Sequence, residues 1–346
     1  MTNFENQPNE ELWLKRKQPF LIAEIGGNHE GNFAVARELL ESAISSGVNC
    51  VKFQIYEAKS LVNGLINKGR FDHFKRFELK KSQHIELAKI ARSKGVIYNS
   101  SVWSIDLLNW IDHYLDFYKI GSGDLTAYPI IKELVKRRKP IILSTGLSSL
   151  KEVLETVSFI QKLDEVYCKP EMMCLLQCTS MYPIPLSEAN LNVMSDLRER
   201  TGLSIGYSDH TEGIDALKIA SVMGANVLEF HYTDKRENKL FRDHKVSLVK
   251  EEVIELVEFN NKVNLVKGSS LKEIQKIELD NGHDISFRRA VYPNKKIKKG
   301  DIISESDLIC LRPLVGTDAR NYDSVIGVKA KKDLEPFQSI TKSIDY

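Results

Sequence analysis

The sequence predicts an α/β protein built as a (β/α)8 TIM barrel, followed by a small β-rich domain. Eight short apolar runs, which begin near residues 20, 50, 96, 117, 140, 172, 203 and 227, alternate with segments that have a helical spacing of apolar residues. Eight such units in roughly 250 residues are the count and length of this barrel. A doubly wound open sheet is the structural alternative, but no glycine-rich dinucleotide fingerprint follows the first strand.

Each strand is predicted from an apolar, β-branched run that ends in polar residues, and each helix from apolar residues three and four apart. Glycine closes several of the helical segments, as Gly47 does for the first one. The predicted strands are Phe20-Leu-Ile-Ala-Glu-Ile, Cys50-Val-Lys-Phe-Gln-Ile-Tyr, Gly95-Val-Ile-Tyr-Asn-Ser-Ser, Phe117-Tyr-Lys-Ile-Gly-Ser-Gly, Pro140-Ile-Ile-Leu-Ser-Thr-Gly, Met172-Met-Cys-Leu-Leu-Gln-Cys-Thr-Ser, Leu203-Ser-Ile-Gly-Tyr-Ser and Val227-Leu-Glu-Phe-His. The predicted helices cover 33–46, 82–93, 105–113, 128–138, 150–163, 191–200, 213–224 and 251–266.

The texture of the chain changes after the last of these helices. We assign residues 1–266 to the barrel, the polar stretch 267–284 to a linker, and residues 285–346 to the small domain. Short strand candidates separated by turns fill that domain, at 287–293, 297–301, 308–313 and 326–330. A domain of about 60 residues is close to the lower limit for an independent core, so we expect it to pack on the barrel or on a second subunit.

Composition excludes several classes of function. Lysine plus arginine number 49 against 47 acidic residues, a net charge of +2, which gives no reason to expect nucleic acid or a membrane as partner. The five cysteines are odd in number and lack the close pairs of a zinc site, which favours reduced thiols in a cytoplasmic protein. Residues 1–17 are polar with no signal-peptide core, and no run approaches 18 apolar residues.

Polar side chains stand at the end of nearly every predicted strand. In a barrel of this kind, chemistry gathers where the strands end and the following loops begin. A single serine or threonine at such a place is more often a helix N-cap, but a ring around the whole barrel favours a site. The ring consists of Glu24, Lys52 with Gln54, Ser100 with Ser101, Lys119 with Ser122, Ser144 with Thr145, Thr179 with Ser180, Ser208 with His210, and Glu229 with His231.

Two histidines follow neighbouring strands of one predicted βαβ unit. The helical crossover brings His210 and His231 to the same edge of the sheet. With Asp209, Glu229 and Asp243 close in sequence, they could hold a divalent metal that keeps open positions for substrate. The alternative is that each histidine only caps a strand or bonds to the backbone.

A series of short motifs occurs in one order along residues 18–340. The motifs are Ala23-Glu-Ile-Gly-Gly-Asn-His-Glu-Gly, Val51-Lys-Phe-Gln, Lys119-Ile-Gly-Ser-Gly-Asp, Leu143-Ser-Thr-Gly, Cys178-Thr-Ser-Met-Tyr-Pro, Gly206-Tyr-Ser-Asp-His-Thr, Glu229-Phe-His-Tyr-Thr, Asp243-His-Lys-Val-Ser-Leu, Phe287-Arg-Arg and Leu311-Arg-Pro. This series resembles the bacterial sialic acid synthase family, the nonulosonate synthases, and the small domain is similar to the antifreeze-like (SAF) module of that family.

The resemblance implies a metal-dependent transferase that condenses phosphoenolpyruvate with an N-acylated hexosamine such as N-acetylmannosamine and releases phosphate by C–O cleavage. It implies a divalent metal, usually Mn2+ with Mg2+ or Co2+ as alternatives, held by His210 and His231. It further implies a homodimer in which Arg312 of one small domain reaches the barrel of the partner. The matching positions are Lys52, Lys119, Ser122, Ser144, Ser180 and Ser208 for phosphoenolpyruvate, Gln54, Tyr182 and Arg312 for the sugar, and Glu24, Glu229 and Asp243 for catalysis.

Departures from the family pattern leave the acceptor sugar open. They occur at Gln177, Phe230, Phe241-Arg242 and Leu314-Val315, which we expect on the acceptor side. The diacetamido sugars that lead to legionaminic or pseudaminic acid therefore compete with N-acetylmannosamine as the acceptor. The sequence also leaves open a barrel that binds sugar or anion without turnover, and a metal-dependent aldolase or isomerase.

Overall fold

The computed structural model describes residues 12–343 and 345–346, so most of the polar start of the chain lies outside the described residues. The chain divides into two compact units, Met1–Gly268 and Ser269–Tyr346. The division falls just after the last helix of the first unit.

The first unit is a barrel of eight parallel strands. The strands are β1 (Phe20–Glu24), β2 (Cys50–Ile55), β3 (Ile97–Val102), β4 (Tyr118–Ile120), β5 (Ile141–Ser144), β6 (Met173–Cys178), β7 (Ser204–Asp209) and β8 (Val227–His231). Their hydrogen-bonded order is β3-β2-β1-β8-β7-β6-β5-β4, so the prediction of a (β/α)8 barrel is confirmed and the doubly wound alternative is wrong. At the remaining seam, the side-chain amide of Asn99 donates to the carbonyl oxygen of Phe117 at 2.7 Å.

Helices surround the strands and pack their apolar faces on them, in one large buried cluster. The helices of this unit are α1 (Phe33–Ser45), α2 (Ala58–Leu61), α3 (Lys68–Phe77), α4 (Lys81–Ser93), α5 (Ile105–Ile111), α6 (Tyr128–Val135), α7 (Leu150–Leu163), α8 (Val193–Thr201), α9 (Asp215–Val222), α10 (Asp243–Val246) and α11 (Lys250–Lys267). Two of them, α2 and α3, are extra helices that lengthen the connection between β2 and β3.

A second, smaller cluster fills the lower part of the barrel. It contains alternate strand residues such as Phe20, Ile22 and Val227, together with Trp13 from the segment before β1. The Trp13 indole donates to the carbonyl oxygen of Pro170 at 3.1 Å. The barrel is therefore a closed core below and is open to polar side chains only above this layer.

The second unit has its own small core, which includes Val291, Ile303 and Leu334. Only two of its four predicted strands form, β9 (Ala290–Pro293) and β10 (Leu308–Leu311), which pair antiparallel. The other two stretches contribute single bridges, such as the one between Ile297 and Leu334. The stretch predicted as a linker holds α12 (Lys276–Asp280), and α13 (His283–Ser286) follows it.

None of the helices in the described part of the chain is both long and apolar enough to cross a membrane.

Candidate active site

The alternation of side chains along the strands decides which residues face into the barrel. Phe20 and Ile22 belong to the interior cluster, whereas Leu21 and Ala23 pack on the helices. Two residues further along the same face, Glu24 also points inward at the end of β1. The same parity places a polar layer above the interior apolar layer, and this layer is the candidate site. Its strand members include Glu24, Lys52, Gln54, Lys119, Ser144, Ser208, Glu229 and His231.

The first ion pair of this layer joins Lys52 to Glu24. Glu24 is paired in register with Lys52 on one side and with His231 on the other. The Lys52 ammonium lies 2.6 Å from Glu24 Oε2, and both side chains are buried. Gln54 donates to the other oxygen of Glu24 at 2.9 Å. Gln54, which is predicted to bind the sugar, is thus held in place by Glu24, which is predicted to act in catalysis.

The second ion pair joins Lys119 to Glu229. The two charged groups are 3.3 Å apart and buried. Lys119 also donates to Ser144 Oγ at 2.7 Å, and Ser208 donates to Glu229 Oε1 at 3.3 Å. Glu229 Oε2 is buried and has no hydrogen-bond partner among the described residues. A buried acceptor without a donor is expected where a ligand or an ordered water belongs.

The pKa values of the two carboxyl groups, Glu24 and Glu229, are shifted in opposite directions. Burial raises the pKa of Glu24, and the nearby Glu229 adds to this against the pull of Lys52. Burial also opposes ionisation of Glu229, but the ammonium groups of Lys119 and Lys52 outweigh it and hold the Glu229 pKa below its usual value. A pair of acids whose pKa values are pushed apart in this way is typical of a site that moves protons.

Hydroxyl groups of two loops crowd over one glycine next to Lys119. A Cβ on Gly146 would lie 2.4 Å from Ser180 Oγ and 2.8 Å from Ser122 Oγ, so only glycine leaves room for both. The backbone N–H of Gly146 donates to Ser122 Oγ at 3.1 Å. The two serine hydroxyls remain free to donate to a ligand, and a pair of such donors suits an anion.

The two histidines lie together, as predicted. The ring centroids of His210 and His231 are 5.4 Å apart. His210 Nδ1 lies 2.7 Å from the carbonyl oxygen of Thr179. Since a carbonyl can only accept, Nδ1 carries the proton and Nε2 offers a lone pair. Nδ1 of His231 is buried without a hydrogen-bond partner among the described residues.

This pair fits a metal that keeps open positions. Burial lowers the pKa of both imidazoles, and a neutral imidazole is the form that binds metal. A backbone carbonyl that fixes the far nitrogen of a ligating histidine is a common supporting contact. Within residues 12–343 and 345–346, no group of three or more His, Cys, Asp or Glu side chains could hold a metal ion. Two protein ligands are therefore available, and water or substrate would have to supply the rest.

Asp209 does not belong to this site, although the sequence placed it among the possible metal neighbours. Its carboxylate accepts from Tyr207 Oη at 2.9 Å and from the backbone N–H of Thr211 at 2.9 Å. As the residue after Ser208, it faces the helices by strand parity. Its contacts hold the turn that carries His210.

Tyr182 and Asp243 lie near the histidines. The ring of Tyr182 is 4.0 Å from that of His210 and 5.5 Å from that of His231. The carboxylate of Asp243, at the start of α10, is buried, and burial raises its pKa. Arg242 lies over the Tyr182 ring at 4.7 Å and contacts Asp243 at 3.1 Å.

The expectation that all departures from the family pattern lie on the acceptor side is wrong for two of them. Phe230 belongs to the cluster between strands and helices, because it alternates with the inward-facing Glu229 and His231. Gln177 faces the same layer and donates to the carbonyl oxygen of Ala189 at 3.1 Å. Of the departures in the barrel, only Phe241-Arg242 remains next to the site.

Arg312 belongs to the second unit. Its guanidinium lies over the Phe287 ring at 5.2 Å, directly after β10. Its predicted reach into a partner's barrel stays a prediction.

Sequence reasoning missed two further contributors. Gly146 is visible in the sequence as the end of Leu143-Ser-Thr-Gly, but its need for glycine comes from Ser122 and Ser180 in other loops. Ser101 was part of the ring of polar residues without a role, and its hydroxyl lies 3.4 Å from Lys52 Nζ.

Comparisons with known proteins bear on both units. The profile of the NeuB family matches residues 39–272, and that of the SAF domain matches residues 288–343. The chain is 34% identical over 333 residues to the N,N'-diacetyllegionaminic acid synthase of Campylobacter jejuni, covering 92% of this chain and 97% of the relative. It is 32% identical over 284 residues to the N-acetylneuraminate-9-phosphate synthase of Mus musculus, covering 77% of this chain and 76% of the relative. The crystal structure of an N-acetylneuraminic acid synthetase from Leptospira borgpetersenii, solved with citrate, superposes with a TM-score of 0.70 at 27% identity, covering 77% of this chain and 91% of that one.

Proposed function

Since the chain belongs to the NeuB family, we propose that it is a nonulosonate synthase, which joins phosphoenolpyruvate to an N-acylated amino sugar and releases phosphate. The observation that carries the proposal is the pair of buried lysine–glutamate contacts, flanked by hydroxyl groups and two neutral imidazoles. Relatives named as synthases of sialic acid-type sugars support the class of reaction. The proposal places the reaction in the cytoplasm, in keeping with the five free cysteines.

Phosphoenolpyruvate carries a phosphate and a carboxylate, so its site needs fixed positive charge and many hydrogen-bond donors. Lys52 and Lys119 supply the ammonium groups. The serine hydroxyls at the ends of β5 and β7 and in the cluster over Gly146 supply neutral donors. The serines assigned to this role are Ser122, Ser144, Ser180 and Ser208.

His210 and His231 would hold the divalent metal, with Mn2+ proposed and Mg2+ or Co2+ as alternatives. When bound, the metal supplies Lewis-acid polarisation of the aldehyde of the open-chain sugar. The tilted ring of Tyr182, 4.0 Å from that of His210, and the Thr179 carbonyl keep His210 in one orientation and one tautomer.

The reaction forms a bond between C3 of phosphoenolpyruvate and C1 of the sugar. Positive charge then develops at C2, water adds there, and the C–O bond to phosphate breaks. The aldehyde oxygen gains a proton and the water loses one, so the site needs an acid and a base. Glu24, whose pKa is raised, suits the acid, and Glu229, which stays ionised beside both lysines, stabilises the cationic carbon. Asp243, a third buried carboxyl group beside the histidines, can accept the proton of water.

The acceptor is an N-acylated hexosamine such as N-acetylmannosamine, and Gln54 and Tyr182 line its place beside Glu24 and His210. The Campylobacter relative, an N,N'-diacetyllegionaminic acid synthase by name, favours a diacetamido sugar as the second candidate. The residues that differ at the mouth, Phe241 and Arg242, are those that would distinguish the two.

We propose a homodimer in which Arg312 completes the barrel of the partner. Large apolar side chains are exposed on both units, Met181 and Leu240 on barrel loops and Phe287 beside Arg312. Mixing and refolding a His231→Ala variant with an Arg312→Ala variant tests this. Half of the dimers are then mixed and one of their two sites is intact, so about a quarter of wild-type activity returns. If the mixture stays as inactive as its parts, the shared site is refuted.

The function is tested by phosphate release from phosphoenolpyruvate with Mn2+, for N-acetylmannosamine and two diacetamido sugars, each with and without chelator. Chelator-sensitive release with one sugar supports the proposal and names the acceptor. If folded and metal-loaded protein releases no phosphate with any of the sugars, a barrel that binds without turnover is favoured. Activity that does not need phosphoenolpyruvate favours an aldolase or isomerase.

A further inference from the structure

Helix α3 and the loop after β8 meet through a cluster of aromatic rings at the mouth of the barrel. The His73 ring is 4.5 Å from Phe77 and 5.6 Å from Phe241, and these two phenylalanines are 5.0 Å apart. The loop of β1 passes beneath them, where a Cβ on Gly27 would lie 3.1 Å from Phe241. The cluster fixes α3 against the loop that carries Arg242.

Three guanidinium groups surround this cluster, and we call Arg70, Arg76 and Arg242 the arginine rim. Arg70 lies over Phe74 at 5.7 Å and Arg76 over Phe77 at 4.8 Å. Burial lowers the pKa of His73, and the positive charges of all three arginines lower it further. All three guanidinium groups therefore lie near His73, although Arg70 and Arg76 belong to helix α3 and Arg242 to the loop after β8.

The rim carries more positive than negative charge. The acidic residues of α3 and its end are already paired with lysines, Asp72 with Lys68 and Glu78 with Lys75. In the part of the chain that the structure describes, no carboxylate lies within ion-pair distance of Arg70 or Arg76. Arg242 contacts Asp243 through Nε alone, which leaves its two Nη groups as donors. Its side chain is 67% exposed, so these donors face the solvent at the mouth.

Arg242 is separated from the candidate metal ligands by a single ring. Its guanidinium is 4.7 Å from the Tyr182 centroid, and that ring is 4.0 Å from His210. In the proposed reaction the aldehyde end of the sugar lies deep, between phosphoenolpyruvate and the histidines. The opposite end of the same sugar, C5 and C6, then points outward to the arginine rim.

Resting on the proposed function, we infer that the arginine rim binds an anionic group at the far end of the acceptor, with Arg242 as the residue that determines specificity. The acceptor class is an N-acylated amino sugar that carries a phosphate monoester or a carboxylate at C6. Both anions accept paired hydrogen bonds from a guanidinium, and a neutral C6 group offers no charge to complement three arginines.

The test measures equilibrium binding by calorimetry, in the absence of phosphoenolpyruvate. The ligands are N-acetylmannosamine, its 6-phosphate, and the corresponding 6-uronate, and the proteins are the wild type, Arg242→Gln and Arg200→Gln. Arg200 is the matched control, an exposed arginine that contacts a single aspartate through Nε on the far helix α8. The two anionic ligands distinguish phosphate from carboxylate as the preferred group.

We expect the wild type and Arg200→Gln to bind one anionic sugar about 10- to 100-fold more tightly than N-acetylmannosamine, the size of one or two charged hydrogen bonds. In Arg242→Gln, most of this difference between the affinities for the anionic sugar and for N-acetylmannosamine should disappear. Equal affinity for neutral and anionic sugars in the wild type overturns the inference, and so does an unchanged affinity ratio in Arg242→Gln.

Phosphate release with the same sugars distinguishes a failure of this inference from a failure of the proposed function. A ratio that depends on Arg242 without any turnover refutes only the proposed function. Turnover of a neutral sugar without anion preference refutes only the rim.

Discussion

Replacing Gly146 with alanine tests whether the hydroxyl cluster holds the phosphate. The new Cβ would lie 2.4 Å from Ser180 Oγ and 2.8 Å from Ser122 Oγ, where ordinary contacts begin at 3.4 Å. Both atoms are the ends of short side chains, so they can rotate away without moving the backbone. Each hydroxyl can turn to another staggered rotamer and so avoid the cost of about 0.5–1.5 kcal/mol for an off-rotamer angle, and we expect little loss of stability.

Binding of phosphoenolpyruvate should suffer much more than stability. A hydrogen bond to a charged group contributes about 1.5–3 kcal/mol, so losing one hydroxyl donor weakens binding about 10- to 100-fold. Calorimetric titration with phosphoenolpyruvate gives the dissociation constant. Thermal unfolding of the same sample gives the stability. The dissociation constant of phosphoenolpyruvate should rise strongly, whereas the stability of the variant should change little.

Two other glycines serve as controls. A Cβ on Gly206, inside the barrel, would lie 2.3 Å from the backbone oxygen of Val227, so Gly206→Ala should lose about 1–3 kcal/mol or more of stability. Gly69 lies in α3, where a Cβ would have no neighbour within 4 Å, so Gly69→Ala should leave phosphoenolpyruvate binding unchanged. If Gly146→Ala binds phosphoenolpyruvate like the wild type, the cluster does not hold phosphate. If it loses as much stability as Gly206→Ala, the cluster is structural.

Three further predictions concern the metal, pH and the second unit. His231→Ala should keep its fold but lose affinity for Mn2+ in calorimetry. The control His113→Ala should bind Mn2+ like the wild type, and equal Mn2+ affinity in the two variants would show that His231 is not a metal ligand. Burial lowers the pKa of His84 to about 3, so the unfolded chain takes up its proton first and stability falls as pH drops below 6.5. In urea unfolding between pH 6.5 and 4, His84→Gln should reduce the slope of unfolding free energy by about 1.4 kcal/mol per pH unit, and an identical slope contradicts this. A chain ending at Gly268 should unfold cooperatively but lose most turnover, and near-normal turnover would refute a role for the second unit.

The barrel and its inward-facing residues could be predicted because both follow from a period of two along short strands. The same rule shows that Phe230, between Glu229 and His231, must face the helices. It also excludes Asp209, the neighbour of Ser208. The sequence pattern of motifs drew attention to these positions, but strand parity decides which of them reach the site.

Other features depend on contacts that no local pattern contains. Gly146 must be glycine because two serines from other loops approach it. The ring cluster that fixes Arg242 joins α3 to a loop far away in sequence. In the second unit, only two of four apolar runs became strands, since the others meet their partners at single bridges. Such pairings are set by tertiary packing rather than by propensity.

The two halves of the candidate site are built from different parts of the fold, and this has a consequence for specificity. Glu24, Lys52 and Glu229 lie on strands whose register also fixes the barrel, so a change in their spacing would disturb the fold itself. Phe241 and Arg242 lie on a loop, where substitutions and insertions are tolerated. A barrel of this kind can therefore keep the half that we propose for anion binding while the mouth changes, which would suit it to another sugar. Relatives named for different sugar acids match most of this chain. Such relatives are expected where the strand residues of a site stay fixed and the loop residues vary.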